Sequence, residues 1–172
     1  MQVGGRDVRC HGRAGGGGRL VRRLVLGPGP AVAASRDFTL LALTDWGAWP
    51  TAERRNAERT GPLSDALLSV SELVTNACLH GGGAWLLELR WTPPDTLRIE
   101  VFDHSPVLPA PHTARPPGQP GGYGLPVIDL LCDRWGVTVR REVPGKSVWA
   151  ELAGSDDSVA DGNGPRHPGD RP

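Results

Sequence analysis

The chain is poor in cysteine, has one tyrosine and two phenylalanines, and carries no net charge. Each shortage excludes something. Cys10, Cys78 and Cys132 form no CxxC pair, and three scattered cysteines do not make a disulfide framework. His11 and His80 lie near two of them, but no further ligand falls at zinc-site spacing. No apolar run approaches the roughly 18 residues of a membrane span. The N-terminal arginines are followed by glycines, where a signal peptide needs an apolar stretch. A reducing, cytoplasmic location without membrane contact is the expectation. A formal charge of zero gives no support to direct nucleic-acid binding. Two nucleotide signatures are also missing: no GxGxxG follows a strand, and no GxxxxGK[ST] occurs.

Glycine and proline, by contrast, are plentiful at 24 and 17 of 172 residues. They cluster at 15–18, 27–30, 106–122 and 154–172, leaving an orderly centre between loose ends. The length suits one domain with a sizeable core. The division expected is a disordered basic, glycine-rich arm over 1–18, a folded domain over 19–152 and a disordered acidic tail over 153–172.

Within the domain, Leu20–Leu26 reads as a strand, an edge strand given Arg22 and Arg23. Gly27–Pro30 is a turn launching a helix from about Pro30 to Asp45, with Val32, Phe38, Leu41 and Leu43 among its apolar residues and Trp46-Gly47 closing it. Residues 50–61 are polar and fit no element. Leu63–His80 is the clearest helix: Leu67, Val70, Val74 and Ala77 recur at spacings of three and four, and Gly81–Gly83 stops the pattern. Two strands follow. Ala84–Trp91 puts Trp85, Leu87, Leu89 and Trp91 on one face; Leu97–Asp103 puts Leu97, Ile99 and Val101 on one face. Residues 104–121 hold six prolines and no periodicity. A loop that long inside a compact domain marks either a functional segment or an element misread as loop. A short helix over Leu125–Arg134 and a hairpin of Val137–Val143 with Ser147–Leu152 complete the series. The order implies an α+β two-layer sandwich, a mostly antiparallel mixed sheet with helices packed on one face. The six tryptophans are most simply packing residues, and exposed ones would mark a protein interface.

Three features can carry chemistry. Glu72, Asn76 and His80, spaced i, i+4, i+8, form a polar strip beside the apolar stripe of the long helix. Asn is a mediocre helix former, so its place mid-helix points to a use. A carboxamide oxygen can ligate magnesium, with the carboxylate one turn earlier near the same ion. Asp103 ends an apolar strand, where a carboxylate could accept from the exocyclic amine of adenine. Guanine has a carbonyl there. Gly121-Gly122-Tyr123-Gly124-Leu125 feeds a helix N-terminus, a place where backbone N–H groups meet an anion. On their own these are, respectively, a polar helix face, a polar strand end and a helix-starting glycine turn.

In this order the three features resemble the histidine-kinase-like ATPases, and among them the anti-sigma factor serine/threonine kinases and their actinobacterial relatives. Ser71-Glu72-Leu73-Val74-Thr75-Asn76-Ala77-Cys78-Leu79-His80 is similar to the family's conserved helix, Val101–Ser105 to its adenine-binding segment and Gly122–Leu125 to its second glycine segment. Asp133–Val137 and Gly145–Trp149 are further echoes. The resemblance implies ATP and Mg2+ as cofactors. Asn76 would ligate the metal, Glu72 would be the general base, and Asp103 would contact the adenine amine. Gly122 and Gly124, with Leu125, would shape the turn over the phosphates. His80 and Ser105 join the nucleotide-binding set by position. The implied activity is a serine/threonine protein kinase acting on an anti-anti-sigma protein while also sequestering a sigma factor, with a homodimer left open. The alternative is a catalytically weak nucleotide-binding module that regulates a partner by contact. The chain departs from the family pattern in having Ser105 and Val107 at glycine positions and Tyr123 where relatives often carry a basic residue. Arg115 is the one fixed positive charge of the 106–120 lid, and Lys146 lies in a tight turn.

Overall fold

The computed structural model describes residues 18–49, 61–109, 124–139 and 145–153. The two terminal arms, most of the lid with Gly121, Gly122 and Tyr123, and the tip of the last hairpin lie outside the described residues.

Eight elements follow one another: β1 (Leu20–Val25), α1 (Ala31–Trp46), α2 (Pro62–His80), β2 (Ala84–Thr92), β3 (Thr96–Asp103), α3 (Gly124–Leu131), β4 (Arg134–Val139) and β5 (Lys146–Ala153). The strands form one sheet in the order β1-β2-β3-β5-β4, and all four described pairings are antiparallel. β1 is an edge strand, as its arginines imply. The helices pack on one face, so the α+β sandwich expected from the sequence is the architecture observed.

Period-two and period-3.6 patterns meet in the core. Leu87, Leu89 and Trp91 of β2, Leu97, Ile99 and Val101 of β3, and Val148, Ala150 and Leu152 of β5 are buried in adjacent rows. Against them α2 lays Ala66, Val70, Leu73, Val74 and Ala77. Gly61 caps α2 with Pro62 in the first turn, where a missing N–H costs nothing. α1 buries Ser35, Thr39, Ala42 and Leu43, while Leu41 is exposed. Small side chains let α1 lie close to α2, and the Thr39 hydroxyl donates to the Ser35 carbonyl at 2.7 Å. Gly47, left-handed at φ 62°, ends α1 by donating to Leu43 and Thr44.

Two sequence expectations are corrected. Trp85 does not join Leu87 on the core face. The β2–β3 register shifts between Ala84 and Leu86, and this irregularity reverses the alternation at its end. Ala84 packs on the core instead, and the Trp85 ring lies 5.4 Å from Phe102 and 6.4 Å from His104. The short helix stops at Leu131, and β4 begins at Arg134 rather than Val137. Three side chains hold Asp133–Trp135 in place. Asp133 accepts from the Ala153 N–H at 2.7 Å, Arg134 pairs with Glu151 at 2.6 Å, and the Trp135 indole donates to Asp129 at 3.0 Å.

The sheet's other face carries a charge ladder. Arg23, Arg90, Arg98 and Arg134 interleave with Glu88, Glu100 and Glu151. Glu88 and Glu100 face each other in register, an arrangement that repels unless cations intervene. Arg23 and Arg90 pair with Glu88, and Arg90 and Arg98 each reach Glu100 at 3.5 Å. Arg98 also stacks 4.0 Å from the Trp149 ring centroid. Burial alone would push the Glu151 carboxyl up, but hydrogen bonds from Arg98 and Arg134 outweigh it and hold the group below the usual range. A depressed folded value adds stability above the ordinary glutamate range, and that stability is lost as pH falls toward the lowered value. Glu151→Gln is therefore expected to cost within about 1 kcal/mol at neutral pH, the cost shrinking on acidification. Urea unfolding of both proteins between pH 7 and pH 3 measures it; a constant difference would place the stabilisation elsewhere.

Candidate functional site

Two clusters lie at successive turns of α2. The first is the acid–amide pair. Glu72 and Asn76 are half-buried one turn apart, and the first residue of α3, Gly124, presses on both. A Cβ built at Gly124 would stand 2.6 Å from Asn76 Nδ2, 2.9 Å from Asn76 Oδ1 and 3.0 Å from Glu72 Oε2. Only a residue without a side chain lets the start of α3 approach so closely. The start of α3 therefore lies directly against the carboxamide. On the other side, Arg36 of α1 donates to Ser71 Oγ at 2.9 Å and to the Leu67 carbonyl at 3.3 Å. It ties α1 to the turn that bears Glu72.

The second cluster surrounds Asp103, at Gly81, the residue that caps α2 five positions after Asn76. The carboxylate is buried under Gly81, whose built Cβ would stand 2.5 Å from Asp103 Cγ. Its Oδ1 accepts from the Ser105 backbone N–H at 3.0 Å, and Ser105 Oγ in turn accepts from the Val107 N–H at 3.2 Å. The segment thus turns without glycine at 105 and 107, using side-chain acceptors instead. Lys146 Nζ lies 3.0 Å from Asp103 Oδ1, 2.9 Å from Oδ2 and 3.2 Å from the Ser105 carbonyl. Gly145, at φ 111°, brings the chain in so tightly that a Cβ there would lie 2.0 Å from the Asp103 carbonyl oxygen.

Of the residues singled out in the sequence, Glu72, Asn76 and Gly124 are in one cluster and Asp103 and Ser105 in the other, all on the helix-bearing side of the sheet. Leu125 is half-buried in the first turn of α3. His80 is exposed in the last turn of α2, nearer the Asp103 end than Asn76 is. Gly122 lies outside the described residues. The sequence reading missed the placement of Lys146. Its signal was pairing register: Lys146 opens β5 directly opposite Asp103, which closes β3.

The arrangement fits a magnesium nucleotide in two respects. A carboxamide oxygen and a helix start adjoin one another without an intervening side chain, suiting a metal-bound phosphate chain. A buried acceptor lies one helical step away, suiting an exocyclic amine. Among the described residues, no helix is long and apolar enough to cross a membrane. Comparison with known families agrees with this geometry: residues 41–152, about two thirds of the chain, match the family model of the histidine kinase-like ATPase domain. No curated protein matches the chain.

Proposed function

The chain belongs to the histidine kinase-like ATPase domain family, an ATP-binding fold, and from that premise we propose a cytoplasmic serine/threonine protein kinase of the anti-sigma type. The observation that supports the reading is the contact of Gly124 with both Glu72 and Asn76, a carboxylate and a carboxamide beside one helix start. Through its carboxamide oxygen Asn76 would hold magnesium, which would supply charge neutralisation at the phosphates. The first turn of α3, with Leu125, bounds the phosphate end, and Gly122, two residues before Gly124 in the sequence, is assigned the same role. Asp103 and Ser105 bound the base end, and His80 flanks the pair from the helix terminus. Glu72 takes the proton from a partner's Ser or Thr hydroxyl as its oxygen bonds to the γ-phosphorus and the bond to the bridging oxygen breaks. The partner class is a small anti-anti-sigma protein, whose new dianionic group disrupts its own interface, with a sigma factor as the second client.

A second reading, a module that holds nucleotide and regulates a partner by contact, is favoured by Ser105 and Val107 at the glycine positions and by the cation already on Asp103. Glu72→Ala separates the two. Loss of the base is expected to lower transfer to the partner by about 10²–10⁴-fold while ATP affinity stays within a few-fold. Filter-binding of labelled partner together with calorimetry of ATP binding reads both. Equal transfer by wild type and Glu72→Ala would remove Glu72 from the chemistry. Wild type that binds ATP yet labels no partner at any concentration supports the contact module.

A further inference from the structure

The rows of the core end in an unexpected pair. Along β3, Leu97, Ile99 and Val101 face the helices, and along β5, Leu152, Ala150 and Val148 do the same. The next position in each row is charged: Asp103 and Lys146, with 2 % and 6 % of their side chains exposed. Two well-packed apolar residues there would serve stability at least as well as a buried ion pair. The pair also has capacity to spare. The ammonium carries three N–H donors. It lies almost equally far from the two carboxylate oxygens, at 3.0 and 2.9 Å, so one N–H can bridge both. The Ser105 carbonyl takes a second, and a third remains. Asp103 Oδ1 accepts from Ser105, while Oδ2 keeps a lone pair. A donor and an acceptor are therefore fixed side by side at one end of the sheet.

We propose that Lys146 is a specificity-determining residue that donates to N1 of adenine while Asp103 accepts from the 6-amine, so that the buried pair reads two adjacent groups of the base. This rests on the reading of Asp103 as the base contact. Adenine presents an acceptor at N1 and a donor at the 6-amine, matching the pair. Guanine and hypoxanthine present N1–H and a 6-carbonyl, so donor meets donor and acceptor meets acceptor. Such a mismatch leaves buried polar groups unpaired and is strongly rejected.

The test compares ATP with 1-deaza-ATP, which keeps the 6-amine but has C–H in place of N1. Both are titrated into the full chain with magnesium by calorimetry. Wild type is expected to bind 1-deaza-ATP at least about tenfold more weakly than ATP. In Lys146→Met the two ligands are expected to bind alike, within about twofold, because the donor that tells them apart is gone. Lys146→Met leaves Asp103 without its cation, so Lys146→Met/Asp103→Asn, which removes both charges, is measured beside it and is expected to close the gap equally. A lysine that merely props Asp103 would weaken both ligands by the same factor and leave the gap intact, which overturns the proposal. Tighter ATP binding by Lys146→Met would make the ammonium a competitor for the carboxylate and also overturns it. The wild type separates the two levels of failure. If it binds neither ligand, the adenine reading of Asp103 falls and takes this inference with it. If it binds both equally well, only the part given to Lys146 falls.

Discussion

Asp103→Ala is expected to lower the unfolding free energy by about 3–5 kcal/mol, because it strands the Lys146 ammonium in a buried place without its counter-ion. The Ser105 N–H loses its acceptor at the same stroke. Asp103→Asn keeps the shape and one acceptor oxygen, so it is expected to lose less. Equilibrium urea unfolding of the two variants and wild type gives the values; a loss below about 1 kcal/mol for Asp103→Ala would mean that the ammonium finds water and the pair is not structurally buried. The result bears on function too. A failure of Asp103→Ala to bind ATP says nothing about base recognition unless the variant is folded at the temperature of the assay. Asp103→Asn is the cleaner probe of the carboxylate.

Gly124→Ala is expected to do the opposite: little to the fold and much to the site. The added Cβ overlaps the amide of Asn76 and the carboxylate of Glu72, which are ends of flexible side chains and can swing aside. Alanine also favours helix over glycine by up to about 1 kcal/mol. Stability should therefore stay within about 1 kcal/mol of wild type. Asn76 and Glu72, the proposed metal ligand and base, however, can no longer hold their places beside the helix start. A displacement of about 1 Å in such a group costs on the order of 10²-fold in rate. Magnesium-dependent ATP binding and phosphoryl transfer, measured on protein shown by its unfolding curve to be intact, check this. Full activity in Gly124→Ala would mean that the acid–amide pair is not the reacting site. Gly145 lacks such leeway, since its built Cβ meets a backbone carbonyl rather than a side-chain end.

Elements with a long, uniform period were readable from the sequence. α2 repeats its apolar residues over 19 positions and ends at glycine, so its span and the burial of Val70, Val74 and Ala77 follow from spacing; Leu67 is only half-buried, and Ala66 and Leu73 join the core instead. The β2–β3 hairpin likewise declares itself by alternation over most of its length. The failures sit where a single residue changes the rule. A register shift at Ala84/Leu86 turns Trp85 to the other face, and no propensity marks it. Asp133 and Arg134 look compatible with a continuing helix, yet each has a partner on β5, near in space and distant in sequence. The exposed Leu41 and buried Ser35 and Thr39 of α1 reflect how closely two helices approach, which composition does not encode. The site shows the same division. Glu72, Asn76 and Asp103 stand out by residue type in an unusual place, as an amide mid-helix and an acid ending an apolar strand. Lys146 follows a glycine in a turn, and only the pairing of β5 with β3 brings it to Asp103.

The two ends of the site are anchored with unequal firmness. β3 is hydrogen-bonded along both edges, to β2 and to β5, so Asp103 rides on the strand that opens last. α3, bearing Gly124, leans on α2 and on β4, and β4 is the outermost strand on its side. A load applied at that margin, by a client protein or by thermal fraying, would loosen the Gly124 end before the Asp103 end. If the proposed function holds, nucleotide would then leave phosphates first and base last.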